Sequence, residues 1–366
     1  MEISLRLFFR MWGHTGNSTL VKPTNTNNSV EVPSTPTDTI SAIAWSPTAN
    51  VVACASWDKQ VRVWEVTSSL GSSISVVPRC AYSHDAPVLC VAFTKDGTSV
   101  VSGSCDGKVK MFNLLQQKET LLGTHDGPVK DVFWVAEMNM AISTSWDKTV
   151  RFWNGVQQTP VAVLPLPERA YSADVKFPVL TVALADRKVA VYNLQTIQQN
   201  PNPTKVTESK LKLQSRVVSI FPDKTGYALA SVEGRCSICS IDDQNKDKNF
   251  EFKCHRTTDE IFAVNAIDFH PNGVFLTGGA DGQIVIWDKD SRSRVKQFNS
   301  CNYPITAAKF SSQGDYIAFA VGYDWSKGHE HYQPSIPVKL YVNKLQEVDV
   351  KPQKQAAQGN SNFRRR

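Results

Sequence analysis

The sequence predicts an all-β fold, a single seven-bladed β-propeller, and three observations lead there. A unit recurs along the chain at the roughly 40–45-residue spacing of a propeller blade. Each clear copy places an acidic turn ahead of a short strand of alternating side chains. Degenerate copies fill the remaining intervals in order, bringing the total to seven.

The clearest copies are Ser56 to Trp64 (SWDKQVRVW), Ser145 to Trp153 (SWDKTVRFW) and Ala280 to Trp287 (ADGQIVIW), with Ser104 to Phe112 (SCDGKVKMF) a fourth. The pattern is that of WD40 repeats. In the first copy Val61 and Val63 are expected on one side of the strand, Arg62 and Trp64 on the other. Two further strand signals precede each copy. In the first unit they are Ile40 to Trp45 and Val51 to Ala55; in the second, Val88 to Phe93 and Ser99 to Ser102, parted by the turn Lys95-Asp96-Gly97. The degenerate units are Ala170 to Leu194 with Asp186, Arg216 to Ile241 with Glu233-Gly234 in the turn, and Ile305 to Val342 with Asp324.

A blade cannot bury its faces alone, so the blades must stack around an axis and the ring must close. The last unit supplies only Ile305 to Phe310, Tyr316 to Val321 and Val338 to Val342, and Val30 to Val32 is expected to provide the missing outer strand as a clasp. The domain reading is therefore a disordered extension over residues 1–28, the propeller over 29–343 and a disordered basic tail over 344–366.

Hydrophobic residues make up 41% of the chain and charged residues 20%, values that allow a sizeable core. No apolar run of about 18 residues suggests a membrane helix. Met1 to Arg10 is interrupted by Arg6, which argues against a secretory signal, and Met11 offers an alternative start. On that reading the eight cysteines sit in a reducing compartment and the sequons at Asn17 and Asn27 go unmodified. Much of the net charge of +6 comes from the tail, where Lys344, Lys351, Lys354, Arg364, Arg365 and Arg366 face only Glu347 and Asp349. Such an arm suits either solubility or weak, salt-sensitive contact with nucleic acid.

Catalysis and metal binding find no support. His84 and His125 precede the first strands of their blades, and Asp106 and Asp147 follow at matching distances. Recurrence in successive blades, with no nucleophile-elbow motif, argues against a hydrolase; the resemblance to WD40 repeats implies instead that these residues join a Ser or Thr and the Trp in buried hydrogen-bonded tetrads. Cys236 and Cys239, with Cys254 and His255 downstream, imitate a zinc motif. Aligned with the other blades, however, the two cysteines lie three apart on a strand and point to opposite faces. No phosphate-binding glycine loop occurs. The reading is a non-enzymatic protein with no cofactor and no metal.

Function is then sought in what interrupts the repeats. Trp57 and Trp146 precede turn aspartates, where large aromatics at loop tips serve as anchors. Arg169, Arg216, Arg235, Lys253 and Arg256 are expected at equivalent loop positions of the middle blades, forming a basic surface for an acidic peptide or a phosphate backbone. The longest interruption, Gly322 to Pro337, carries Tyr323, Trp325, His329, His331 and Tyr332 and is expected to be ordered.

Beyond the generic repeat, the strings LPERAYSADV (Leu166 to Val175), SVEGRCSI (Ser231 to Ile238), FKCHR (Phe252 to Arg256), IWDKDSR (Ile286 to Arg292) and YDWSKGHE (Tyr323 to Glu330) resemble the WD-repeat nuclear mRNA export factors. That family is similar to the spindle-checkpoint WD-repeat proteins, which bind GLEBS segments of checkpoint kinases at kinetochores. YDWSKGHE and LPERAYSADV favour the export branch over that alternative. The resemblance implies an adaptor at the nuclear pore complex and nuclear envelope, shuttling to the cytoplasm. It would be monomeric within a heteromeric assembly, have no membrane contact, and take part with the mRNA export machinery in export of poly(A) mRNA. It implies that the acidic GLEBS segment of an FG-nucleoporin is bound by Trp57, Trp146, Arg216, Arg235, Lys253 and Arg256. It also implies a groove on blades five and six that takes RNA or partner proteins through Arg235, Phe252, Lys253, Trp287, Lys289 and Arg292. Trp287 is claimed by both this groove and the repeat pattern.

Overall fold

A computed structural model describes residues 29–68 and 74–352 as seven antiparallel four-stranded sheets. Six sheets are built from consecutive strands, running from Ile40–Trp45 outward to Ile74–Ser83 in blade one and from Val264–Phe269 outward to Ser293–Gln297 in blade six. The seventh is composite. Ser29–Glu31 lies along Lys339–Lys344 with Val30 opposite Val342, and the Val32 N–H donates to the Leu340 carbonyl at 2.8 Å. The clasp therefore forms as the sequence predicts, and residues 1–28 lie outside the described residues.

In all seven blades the connection between second and third strands has a residue at positive φ directly after the acidic one: Lys59, Gly107, Lys148, Arg187, Gly234, Gly282 and Trp325. This conformation favours glycine, and the chain reverses tightly there. The aspartates stabilise it locally: the carboxylates of Asp58, Asp106, Asp147, Asp186 and Asp281 each accept the N–H two residues on. Glu233 has a longer arm and takes the N–H of Lys212 at 2.8 Å instead.

Packing between blades follows from strands buried on both sides. Val61 and Val63 pack toward blade two with Val88 and Val100, while Trp64 packs toward blade seven with Ala318 and Leu340. The innermost strands are further tied by carboxylates that cross to the next blade. Asp131 accepts the N–H of Ala173 at 2.8 Å, Asp174 that of Ile220 at 2.7 Å, and Asp268 that of Phe310 at 2.9 Å. Every innermost strand also carries a register shift after its first residue, which re-aims the second.

The expected irregular tail begins later than Lys344. Glu347–Val350 forms a helical turn closed by a capping box between Gln346 and Asp349. Leu345 and Val350 enter the core shared by blades six and seven, Lys296 pairs with Asp349 at 3.1 Å, and the Asn272 amide donates to the Val350 carbonyl at 2.7 Å. Two apolar side chains and a cap suffice to fix this segment. Residues 353–366 lie outside the described residues.

The tetrads differ from expectation blade by blade. In blade three the set is complete: His125 Nδ1 meets Asp147 at 2.8 Å, its Nε2 meets Ser143 at 2.7 Å, and the Trp153 indole N–H donates to Ser143 at 2.7 Å. In blade two His84 reaches Ser102 at 2.8 Å, but His84 Nδ1 and Asp106 Oδ2 have no hydrogen-bond partner among the described residues. Phe112 stands where the indole would be, and the Tyr82 hydroxyl donates to Ser102 in its place at 2.8 Å. A tetrad that the sequence reading missed occurs in blade six, where His255 joins Asp281 and Thr277 at 2.8 Å each and Trp287 donates to Thr277 at 2.8 Å.

Candidate partner-binding face

Because the strands alternate in direction, the turns after the second strands and the links between blades open on one face, called here the upper face. Trp57 and Trp146 both lie there, 38% and 40% exposed. Trp57 is braced. Its ring stacks on Trp325 of the long blade-seven loop at 5.8 Å, and Trp325 stacks in turn on Tyr332 at 5.2 Å. The Trp325 indole N–H donates to Thr39 Oγ1 at 3.2 Å. The loop Gly322 to Pro337 is thus tied down through rings, with Tyr323 set edge-on to Trp325 at 5.3 Å.

The cations occupy less uniform positions than loop equivalence suggested. Arg169 and Arg256 are in links between blades, but Arg216 is the second residue of an innermost strand. Arg235 opens the third strand of blade five and Lys253 ends its outer strand, so the two face each other in register. That register places two positive charges side by side at the upper end of the blade. Arg235 has the Glu233 carboxylate at 3.9 Å. The Arg256 guanidinium is engaged with the turn beneath it, donating to the Glu233 carbonyl at 2.6 Å and the Gly234 carbonyl at 3.1 Å, so it rigidifies the site as well as charging it.

Arg216 is half-buried, second in the innermost strand of blade five. Its Nε donates to Asn265 at 3.2 Å and its Nη2 to the Asp324 carbonyl at 3.5 Å. Burial holds its pKa below the ordinary value, with the nearby Asp324 charge opposing.

The residues expected in the rim groove lie along the seam of blades five and six. Arg235 and Lys253 stand at its upper end. Lower down, Phe252 packs on Trp287 at 4.9 Å. At the lower edge Arg292 covers the Phe250 ring at 4.6 Å and Lys289 the Phe221 ring at 5.2 Å. Phe252 is a correction. It is 4% exposed and belongs to the core with Phe275 and Ile267, so its ring cannot meet a partner. Trp287 is held by its tetrad bond and only half-buried, which lets one side chain serve the blade and line the seam.

The cysteines behave as packing residues. Cys236 lies in the core between blades five and six, whereas Cys239 packs in the core between blades four and five, and burial raises both thiols. Among the described residues no group of three or more His, Cys, Asp or Glu side chains is placed to hold a metal ion. No helix there is long and apolar enough to cross a membrane.

Sequence comparison accords with this architecture. The WD domain, G-beta repeat family matches residues 28–65, 77–113, 116–154 and 246–288, which leaves unmatched the degenerate fourth blade, most of the fifth and all of the seventh but its N-terminal strand. The chain is 47% identical over 333 residues to Protein RAE1 of Arabidopsis thaliana, covering 90% of this chain and 94% of that one. It is 39% identical over 354 residues to the Poly(A)+ RNA export protein of Schizosaccharomyces pombe, covering 93% and 98%. To mRNA export factor GLE2 of Chaetomium thermophilum it is 37% identical over 354 residues, covering 93% and 97%. With identity of this order running through nearly the whole propeller, the chain belongs to the RAE1/GLE2 family of WD40-repeat mRNA export factors.

Proposed function

We propose that this protein is a non-enzymatic adaptor in nuclear export of poly(A) mRNA, docking at the nuclear pore by holding the acidic GLEBS segment of an FG-nucleoporin across its upper face. The observation that carries the reading is the Arg235–Lys253 register pair, on the same face as Trp57 and Trp146. Paired cations attract an acidic segment and steer its approach, and exposed indoles supply anchoring area. Family membership supports the export role, since relatives carry the names mRNA export factor and Poly(A)+ RNA export protein. The seam of blades five and six, with Trp287 between Arg235, Lys253 and the ring-backed Lys289 and Arg292, is proposed to contact single-stranded RNA or export partners.

The test is capture of a synthetic GLEBS peptide by the full chain. Charge reversal of Arg235 and Lys253 together is expected to abolish capture while the melting temperature stays near wild type. Undiminished binding by the folded variant overturns the assignment. Preferential capture of a checkpoint-kinase segment over the nucleoporin segment would move the protein to the kinetochore instead.

A further inference from the structure

Two consecutive residues of the blade-seven loop reach two of the proposed partner contacts, which themselves come from blades one and five. Trp325 lies between the rings of Trp57 and Tyr332, inclined 17° to the first and 7° to the second. Asp324 is buried, and its Oδ2 accepts from Asn265, whose own Oδ1 accepts from Arg216. The Asp324 carbonyl meets Arg216 directly.

The loop is built to keep both residues in place. Trp325 adopts φ +60°, as the residue after the acidic one does in each of the other blades, but here the position carries a bulky ring that the neighbours must hold. They do so from several directions. Thr39 Oγ1 accepts from the Trp325 indole and donates to the Tyr323 carbonyl, the Tyr323 hydroxyl donates to the Gly328 carbonyl at 2.6 Å, and Ser326 donates to Asp324 Oδ1 through both N–H and hydroxyl. Thr39 precedes the first strand of blade one, so the brace spans the closing seam of the ring. What sets Trp325 apart from its counterparts in the other blades is the ring it directs across that seam onto Trp57.

We propose that Trp325 is a positioning residue of the partner-binding face, holding the Trp57 ring in the orientation the acidic segment meets, while Asp324 acts through Asn265 to hold Arg216. The inference rests on the upper-face reading of the preceding subsection. An exposed indole free to turn loses that freedom on binding, whereas a stacked one has lost it already, so the brace strengthens binding without touching the partner. The effect should appear mainly in the off rate.

A double-mutant cycle on the full chain, titrated with the synthetic GLEBS peptide, separates this role from plain packing. Trp325→Ala is expected to weaken binding about tenfold, about 1.4 kcal/mol. In a Trp57→Ala background the same change should cost less than about twofold, because the residue it positions is gone. Trp325→Phe keeps a stackable ring and should stay within about threefold of wild type. Combination with Arg216→Gln should be additive. Should Trp325→Ala fail to fold, the cycle is run with Trp325→Leu. Equal losses in the wild-type and Trp57→Ala backgrounds, or no loss at all while wild type binds, overturn the proposal. If wild type itself does not bind the peptide, the upper-face reading falls first and this inference with it.

Discussion

His125 Nδ1 and Asp147 Oδ2 lie 2.8 Å apart, whereas the matching pair in the preceding blade, His84 and Asp106, makes no such bond. Two blades of nearly the same local sequence thus store different amounts of polar stabilisation. In blade three the indole, hydroxyl, imidazole and carboxylate form one satisfied chain. In blade two Phe112 cannot donate, and Tyr82 replaces only one of the missing bonds.

The first expectation is an asymmetry in stability. Asp147→Ala strips a partner from His125 and from the Asp126 and Thr149 N–H groups, and should cost about 2–4 kcal/mol. Asp106→Ala removes only the bond to the Lys108 N–H and should cost about 1 kcal/mol. Urea denaturation of both variants measures the difference, and equal losses would refute it.

A pH dependence follows from His84. Burial, aided by Lys110, lowers its pKa from 6.5 to about 4, and burial likewise lowers His125. The unfolded chain then takes up a proton near pH 6.5 that the folded chain refuses until lower pH, so stability is retained above 6.5 and falls between there and about 4. His84 alone should contribute a loss of about 2 kcal/mol on going from pH 7 to pH 5. Denaturation midpoints of wild type and His84→Gln at the two pH values check this. The variant should lose less.

Ring closure can be tested separately from the binding face. Deleting residues 1–34 removes the outer strand of blade seven and the Val32 N–H bond to Leu340, and should lower the melting temperature by several degrees relative to deletion of residues 1–28. Identical melting curves would mean that the strand adds nothing to closure.

The fold was largely legible because a propeller repeats its physics. The acidic residue, the left-handed residue after it and the alternating strand recur, so even degenerate copies could be aligned. The blade-six tetrad escaped notice because the link from Arg256 to Ala263 lengthens the His255–Asp281 spacing beyond that of His125–Asp147. Phe252 could be placed on the blade-five seam but not at a depth within it, since neighbouring blades decide which ring is covered. The partnership of Trp57 with Trp325 joins positions at opposite ends of the propeller sequence, and no local pattern reports such a contact. The turn Glu347–Val350 has too few apolar residues to show a helical period.

The composite seventh sheet also sets an order of events during synthesis. Ser29–Glu31 leaves the ribosome roughly 300 residues before the strand it pairs with, an interval of about 15–60 s at ordinary elongation rates. Throughout that time Trp64, Val52 and Ile43 of blade one lack the blade-seven neighbours that will cover them. A nascent chain therefore carries an open, sticky flank until Lys339–Lys344 arrives, and a chain released early keeps it. Quality control acting on such a protein has an unambiguous mark to read, because unfinished chains expose a tryptophan-lined edge that finished ones have sealed.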